Sequence, residues 1–182
     1  MTAPATDLER RVADLRSAFD RAFGEPTVNA TASTEDLLAI RVAGDPYALV
    51  VSELTGVVSG RRVVSLPSRR ADLLGVAGIR GVVVPVYGLA GLLGYDAAGP
   101  TPAWLALCGS TDPVALAFDK LEEFLRVPAA DLHAADGTVD TTRRHVSRVA
   151  RVAAVTRRVI DTRSTLAALQ IAAGTAGSKK DK

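Results

Sequence analysis

The sequence predicts a mainly β fold, a barrel or sandwich, with an amphipathic helix in front of it and a short helix behind. Three observations predict this. Some nine short apolar runs are separated by turn residues. No long helical pattern lies between them, which argues against a doubly wound sheet. Aromatic residues make up only 4% of the 182 residues, so the core must be built from Val, Leu, Ile and Ala.

The first element, Asp7 to Phe23, has Leu8, Val12, Leu15, Phe19 and Phe23 at spacings of three and four, with charges elsewhere. Thr6 or Asp7 can cap its start, and Gly24 with Pro26 ends it. Thr27 to Thr34 is a polar linker without periodicity. Leu37 to Val42 and Tyr47 to Leu54 flank Ala43-Gly44-Asp45-Pro46, a hairpin signature. Arg62 to Leu66 is a third short strand closed by Pro67, and Ala71 to Leu74 a helical turn before Gly75. Ile79 to Tyr87 is β-branched, and Pro85 restricts it to an edge or a bulge. Leu89 to Leu93 forms another helical turn.

Ala103 to Cys108 and Val114 to Phe118 form a second hairpin around Gly109 to Pro113. Leu121 to Val127 follows, and Val146 to Ala150 with Ala153 to Ile160 complete the strands. Ser164 caps a final helix, Thr165 to Ala173, that stops at Gly174. A β run followed by a short helix occurs at Val82 to Leu93 and again at Val155 to Leu169, a hint of two related subdomains. The chain therefore divides into a helix and linker over 1–34, a β domain over 35–174 and a disordered basic tail over 175–182.

Composition narrows the function. The longest uncharged stretch, Gly81 to Tyr95, is too short for a membrane span and is interrupted by Pro85 and glycines. Met1 to Leu8 carries Pro4 and Asp7 and makes no secretory leader, so a cytoplasmic protein without membrane insertion is expected. One cysteine, Cys108, excludes a disulfide framework and a cysteine-rich metal site, and two histidines leave little for acid–base chemistry. The net charge of +2 hides an asymmetry of −6 over 1–140 and +8 over 141–182. The basic quarter fits a nucleic acid, an acidic membrane surface or an acidic protein.

No enzyme signature emerges. Cys108 lies mid-strand among apolar neighbours, and neither His133 nor His145 has a carboxylate near it in sequence. The glycines of Gly75 to Gly81 open a strand rather than a helix, so they lack a phosphate-binding helix N-terminus. Glu122 and Glu123 point to opposite faces of a strand and read as solvated charges. Arg143, Arg144, Arg148, Arg151, Arg157, Arg158 and Arg163 would serve a nucleic-acid-binding barrel, but no aromatics for base stacking accompany them.

The middle of the chain carries a specific pattern: Leu66-Pro67, then Leu73 to Val86 containing Ile79-Arg80-Gly81-Val82-Val83-Val84-Pro85-Val86, then Leu89 with Leu92-Leu93-Gly94. It resembles the CheW-like family of chemotaxis coupling proteins, whose hallmark is an apolar run into L-R-G-x-x-x-P-V-x-D-L. Tyr47 to Leu54 is similar to the family's early strand ending in glutamate, Leu116 to Leu121 to its V-D strand pair, and Val155 to Leu169 to its closing V-I-D element. Three positions depart from the pattern. Gly78 stands for the usual asparagine, Gly88 for an aspartate that would cap the next helix, and the glycine before the V-D strand is replaced.

The resemblance implies two intertwined five-stranded β-barrels and a non-enzymatic, cofactor-free bacterial adaptor. The implied partners are the regulatory domain of a CheA-type histidine kinase and the cytoplasmic tip of a methyl-accepting chemoreceptor. By position in the motif, Val51, Glu53, Gly75, Arg80 and Gly81 would form the partner-binding surface, with Arg80 pairing with Glu53. The other readings are a divergent relative with a different partner, or the nucleic-acid-binding barrel. The helix lies outside the family core, and Leu8, Val12, Leu15 and Phe19 offer either packing or a docking stripe.

Overall fold

The computed structural model describes residues 33–95, 102–135, 144–152 and 154–177, with 170–177 by backbone alone. The described residues form strands β1 (Thr34–Val42), β2 (Asp45–Val50), β3 (Leu54–Ser59), β4 (Val63–Val64), β5 (Leu73–Ile79), β6 (Val82–Gly88), β7 (Trp104–Cys108), β8 (Val114–Phe118), β9 (Lys120–Pro128), β10 (Leu132–Ala134), β11 (Val146–Val152) and β12 (Val155–Ile160). Helices α1 (Leu89–Leu92) and α2 (Thr162–Gly177) follow β6 and β12. The predicted Asp7–Phe23 helix and most of the basic tail lie outside the described residues.

Several strands divide where the sequence showed one run. Tyr47 to Leu54 breaks at a 3₁₀ turn, Val51–Glu53, which carries the chain from one sheet to the other. Ile79 to Tyr87 breaks at Arg80-Gly81, because φ values of +51° and +81° there close a two-residue hairpin turn. Ala71 to Leu74 is no helical turn: Leu73 already pairs with Tyr87 in β5, whose ladder with β6 holds it extended through Gly75 and Gly78. Pro85 lies in an inner strand, one residue outside the β6–β8 ladder that starts at Val86↔Ala115, so no partner there needs its missing N–H.

The strands form two six-stranded sheets, β10-β11-β12-β2-β1-β9 and β4-β5-β6-β8-β7-β3. Each is the expected five-stranded unit plus an edge strand of two or three residues. The second sheet is one continuous segment inserted between β2 and β9 of the first, which is the intertwining the family resemblance implies. The two orders also correspond strand by strand. Each sheet has one parallel pair at its centre, β12–β2 and β6–β8. Each has a bulge at the same step of its hairpin, Leu73/Gly75 and Val146/Arg148. In each, the strand entering the parallel pair runs straight into a helix.

Three apolar clusters hold the structure. Ala77, Val84, Val86, Leu105, Leu107, Ala115 and Ala117 fill the inside of the second sheet, with Val58 and Val63 from its two edges. Leu37, Ala48, Val50, Val127, Ala150 and Val159 do the same for the first. Between the sheets lies the largest cluster, with Ile40, Tyr47, Leu49, Leu89, Leu93, Cys108, Leu116, Phe118 and Ile160. Strands β2, β7 and β8 contribute to an inner cluster on one face and to the seam on the other. Hence Tyr47 to Val50, Leu105 to Cys108 and Ala115 to Phe118 are buried at every position, and the sequence shows apolar runs there rather than alternation.

Two aspartates of the motif have structural work. Asp119, at the return crossing from β8 to β9, accepts a hydrogen bond from the Ala43 N–H at 2.6 Å and so secures the β1–β2 turn. Asp161 accepts from the Ser164 N–H at 2.9 Å, which makes it the cap of α2. The helix thus begins at Thr162, earlier than a Ser164 cap would place it. No helix among the described residues is long and apolar enough to cross a membrane.

Candidate functional site: an exposed valine face beside the Arg80 turn

The β5–β6 hairpin projects its turn towards the opposite edge of its own sheet. A β-carbon placed on Gly56 of β3 would lie 3.5 Å from Arg80 Nη2, so the guanidinium reaches across the curled sheet to β3. Ala77, Ile79 and Val84 face the inner core. The alternate residues face outward, where the register places Val64 beside Val76, and Val83 beside Gly78. On this face Val83 is 70% and Val64 52% exposed, while Val82 at the hairpin tip is 53% and Leu66, just after β4, 43% exposed. Gly78 has nothing within 4 Å of its Cβ position and so leaves Val83 uncovered. Sequence reasoning missed these residues. The signal was an apolar run with no polar alternate, read as burial when one face of it is exposed.

The five predicted residues do not form one cluster. Arg80 and Gly81 sit exposed at the hairpin tip. Val51 and Glu53 lie in the 3₁₀ turn that leads into β3, a few residues from where Arg80 touches that strand. Gly75 is buried at the far end of β5, about 16 Å from the tip at strand rise. A β-carbon there would stand 2.0 Å from the Val64 carbonyl oxygen, and φ is +143°, so its lack of a side chain is explained by the close approach of β4.

The expected Arg80–Glu53 pair is absent among the described residues. Glu53 Oε1 instead lies 3.7 Å from Arg163 Nε of α2, and Oε2 is buried without a hydrogen-bond partner. The reason is topological: the 3₁₀ turn places Glu53 on the seam beside α2, whereas the positive φ at Arg80 directs its side chain to Gly56.

Other candidates are accounted for by packing. Cys108 is fully buried in the seam, and burial, followed by the nearby Glu53 carboxylate, pushes its thiol up to about 12. It stays protonated and makes no nucleophile. His145 contacts the Ser164 hydroxyl through Nδ1 at 2.9 Å, and burial lowers its pKa, which favours the neutral ring. His133 lies in β10 at the edge of the other sheet, paired with Val149 of β11. No cluster of metal-ligating side chains occurs among the described residues.

Glu122 and the C-terminal arginines require a correction. Glu122 is no solvated charge: it accepts from Arg41 Nε at 2.7 Å and from Arg157 Nη1 at 2.6 Å. The Arg41 hydrogen bond, with Arg157 adding to it, holds its carboxyl below the usual range. Arg148 makes two hydrogen bonds to Glu35, at 2.6 and 3.0 Å, and Arg158 lies 4.0 Å from Asp45 and 5.8 Å from the Tyr47 ring centre. With Arg163 beside Glu53, four of the seven arginines proposed for nucleic acid therefore lie against carboxylates, and Arg157 is only 5% exposed. Arg143 lies outside the described residues, as do Leu8, Val12, Leu15 and Phe19.

A comparison with curated protein sequences finds no match. Among solved structures, the chain is similar to the scaffolding protein TtCheW from Thermoanaerobacter tengcongensis. The TM-score is 0.60 at 18% identity, over 69% of this chain and 88% of that one, a likeness of fold. The CheW-like domain family matches residues 36–169, which spans every strand from β1 to β12 nearly in full, and the chain belongs to that family of non-enzymatic chemotaxis scaffold proteins.

Proposed function

We propose that this scaffold is a cytoplasmic adaptor that couples a methyl-accepting chemoreceptor to a CheA-type histidine kinase. The exposed valine face of β4, β5 and β6 would receive the kinase regulatory domain. The observation that supports this is the exposure of Val64 and Val83 on the outward face of the sheet, with Val82 exposed at the hairpin tip and Leu66 just beyond β4, in the segment that carries the family motif. Isolated exposed valines are ordinary, but a contiguous strip on a sheet is the form in which protein partners are bound. Coupling on this reading is geometric. The seam cluster joins the two sheets through strands buried on both faces, so a partner on one sheet and a partner on the other are held at a fixed relative angle.

The test is binding of the kinase regulatory domain and of a receptor tip fragment by the wild-type chain and by Val83→Asp. Val83 touches solvent on most of its surface, so the variant should keep its circular dichroism and urea midpoint. Loss of kinase binding by the folded variant is the expected result. Undiminished binding by that variant removes the valine face from the interface, and failure of the wild type to bind either protein removes the coupling role.

A further inference from the structure

We infer that the valine face is built for an acidic partner surface, with Arg61, Arg62 and Arg69 supplying an electrostatic rim around the apolar strip. This rests on the valine face being a docking surface and specifies the chemistry of what docks. Between Gly60 and Gly81 the chain carries five arginines and one acidic residue, Asp72, inside a 1–140 stretch that is otherwise acidic. Of these five, Arg70 is the one that meets a carboxylate of the fold: it forms a two-pronged pair with Asp72, at 3.1 and 2.6 Å, and stacks 5.3 Å from the Tyr87 ring centre. Arg61, Arg62, Arg69 and Arg80 are exposed and join no ion pair among the described residues. They come from the three turns that border the face, β3–β4, β4–β5 and β5–β6.

Elsewhere among the described residues most arginines meet a carboxylate, Arg144 and Arg151 excepted. Arg41, Arg126, Arg148 and Arg157 each meet a carboxylate. Arg61, Arg62 and Arg69 have no carboxylate partner among the described residues, and carboxylates brought by a partner would pair with them while the valines exclude water between the two surfaces. Arginine, with its planar fork of donors, suits bidentate carboxylate recognition. The face carries no exposed tryptophan, tyrosine or phenylalanine, which a bilayer interface or a stacked nucleic acid base would use, so a protein is the occupant the chemistry favours.

The experiment measures binding of the full chain to the kinase regulatory domain at 50 and 300 mM NaCl. It compares wild type, the triple variant Arg61→Gln/Arg62→Gln/Arg69→Gln and Val83→Asp, with vesicles containing phosphatidylserine and a single-stranded 20-mer as further probes. Wild-type affinity should fall with salt, and the triple variant should bind about tenfold more weakly at low salt with a much flatter salt dependence. An unchanged affinity and salt slope in the triple variant, with binding lost in Val83→Asp, overturns the rim and leaves the docking face standing. Kinase-domain binding retained by Val83→Asp overturns both. Binding to vesicles or to the 20-mer that the triple variant loses, with no binding to the kinase domain, overturns the acidic-protein assignment.

Discussion

The β5–β6–α1 unit and the β11–β12–α2 unit are the same construction used for two purposes. Their registers align position by position from the shared bulge: Gly75 corresponds to Arg148, Val84 to Arg157, Gly78 to Arg151, Val83 to Thr156 and Gly88 to Asp161. Where the first unit has an apolar interior and an apolar exterior, the second has ion pairs inside and polar residues outside. Arg148 and Arg157 point into the first sheet, towards Glu35 and Glu122, at the positions that Gly75 and Val84 occupy in the second. One topology thus tolerates either filling. The unit with the uncovered valines is the one that carries the family motif.

Three pairs of variants test that correspondence. The largest effect belongs to Gly75→Ala, because its β-carbon would meet the Val64 backbone at 2.0 Å in a left-handed conformation. We expect a loss of about 3 kcal/mol or detachment of β4, seen as a lower urea midpoint. Arg148→Ala, at the equivalent position, should cost less, since it removes a partly exposed pair and causes no clash. Equal losses would mean that the bulges are not equivalent.

The second test concerns the buried charges. Glu122→Gln leaves the guanidinium of Arg157, 5% exposed, without its main counter-charge, and should cost about 2 kcal/mol, with Glu123 at 3.6 Å softening the loss. The double variant Glu122→Leu/Arg157→Val copies the apolar filling of the other sheet and should recover most of that stability. The same group sets a pH signature. The Glu122 carboxyl titrates below its ordinary 4.5 in the folded chain, so its contribution is complete above that value and is lost as pH falls through the lower folded-state value. Urea midpoints measured from pH 6 to pH 3 should fall more steeply for wild type than for Glu122→Gln.

The smallest effects are at the caps. Asp161→Ala removes the hydrogen bond to the Ser164 N–H and should cost about 1 kcal/mol. Gly88 starts α1 with no side-chain cap, and a β-carbon there would meet Leu74 at an ordinary 3.5 Å. Gly88→Asp should therefore stabilise the chain by a few tenths of a kcal/mol. Thermal melts of the two variants moving in opposite directions would confirm that the helices are capped by one design, with one cap missing.

Sequence reading located the hairpins at Ala43-Gly44 and Gly109 to Pro113, the strand-then-helix repeat and the motif itself. Turn glycines and apolar runs are local signals. It also placed Cys108 among apolar neighbours, and the structure buries it in the seam. It could not separate β5 from β6, because Arg80-Gly81 has none of the Asn or Asp that usually announces a two-residue turn. Nor could it choose a partner for Glu53. The candidates lie far apart in the chain, and Arg163 rather than Arg80 is brought near by the crossing of the 3₁₀ turn beside α2.

By itself, then, the sequence determined the mainly β fold, the family and the motif that marks one hairpin, since each is written in residue type and short spacing. The tertiary structure alone decided which apolar residues are covered. Leu105 to Cys108 and Val82 to Val86 read alike as strings of branched and small side chains. The first run is buried on both faces because a sheet lies on each side of it, whereas the second has a core on one face and water on the other. Burial is a property of what packs against a strand, and no residue of the strand carries that information.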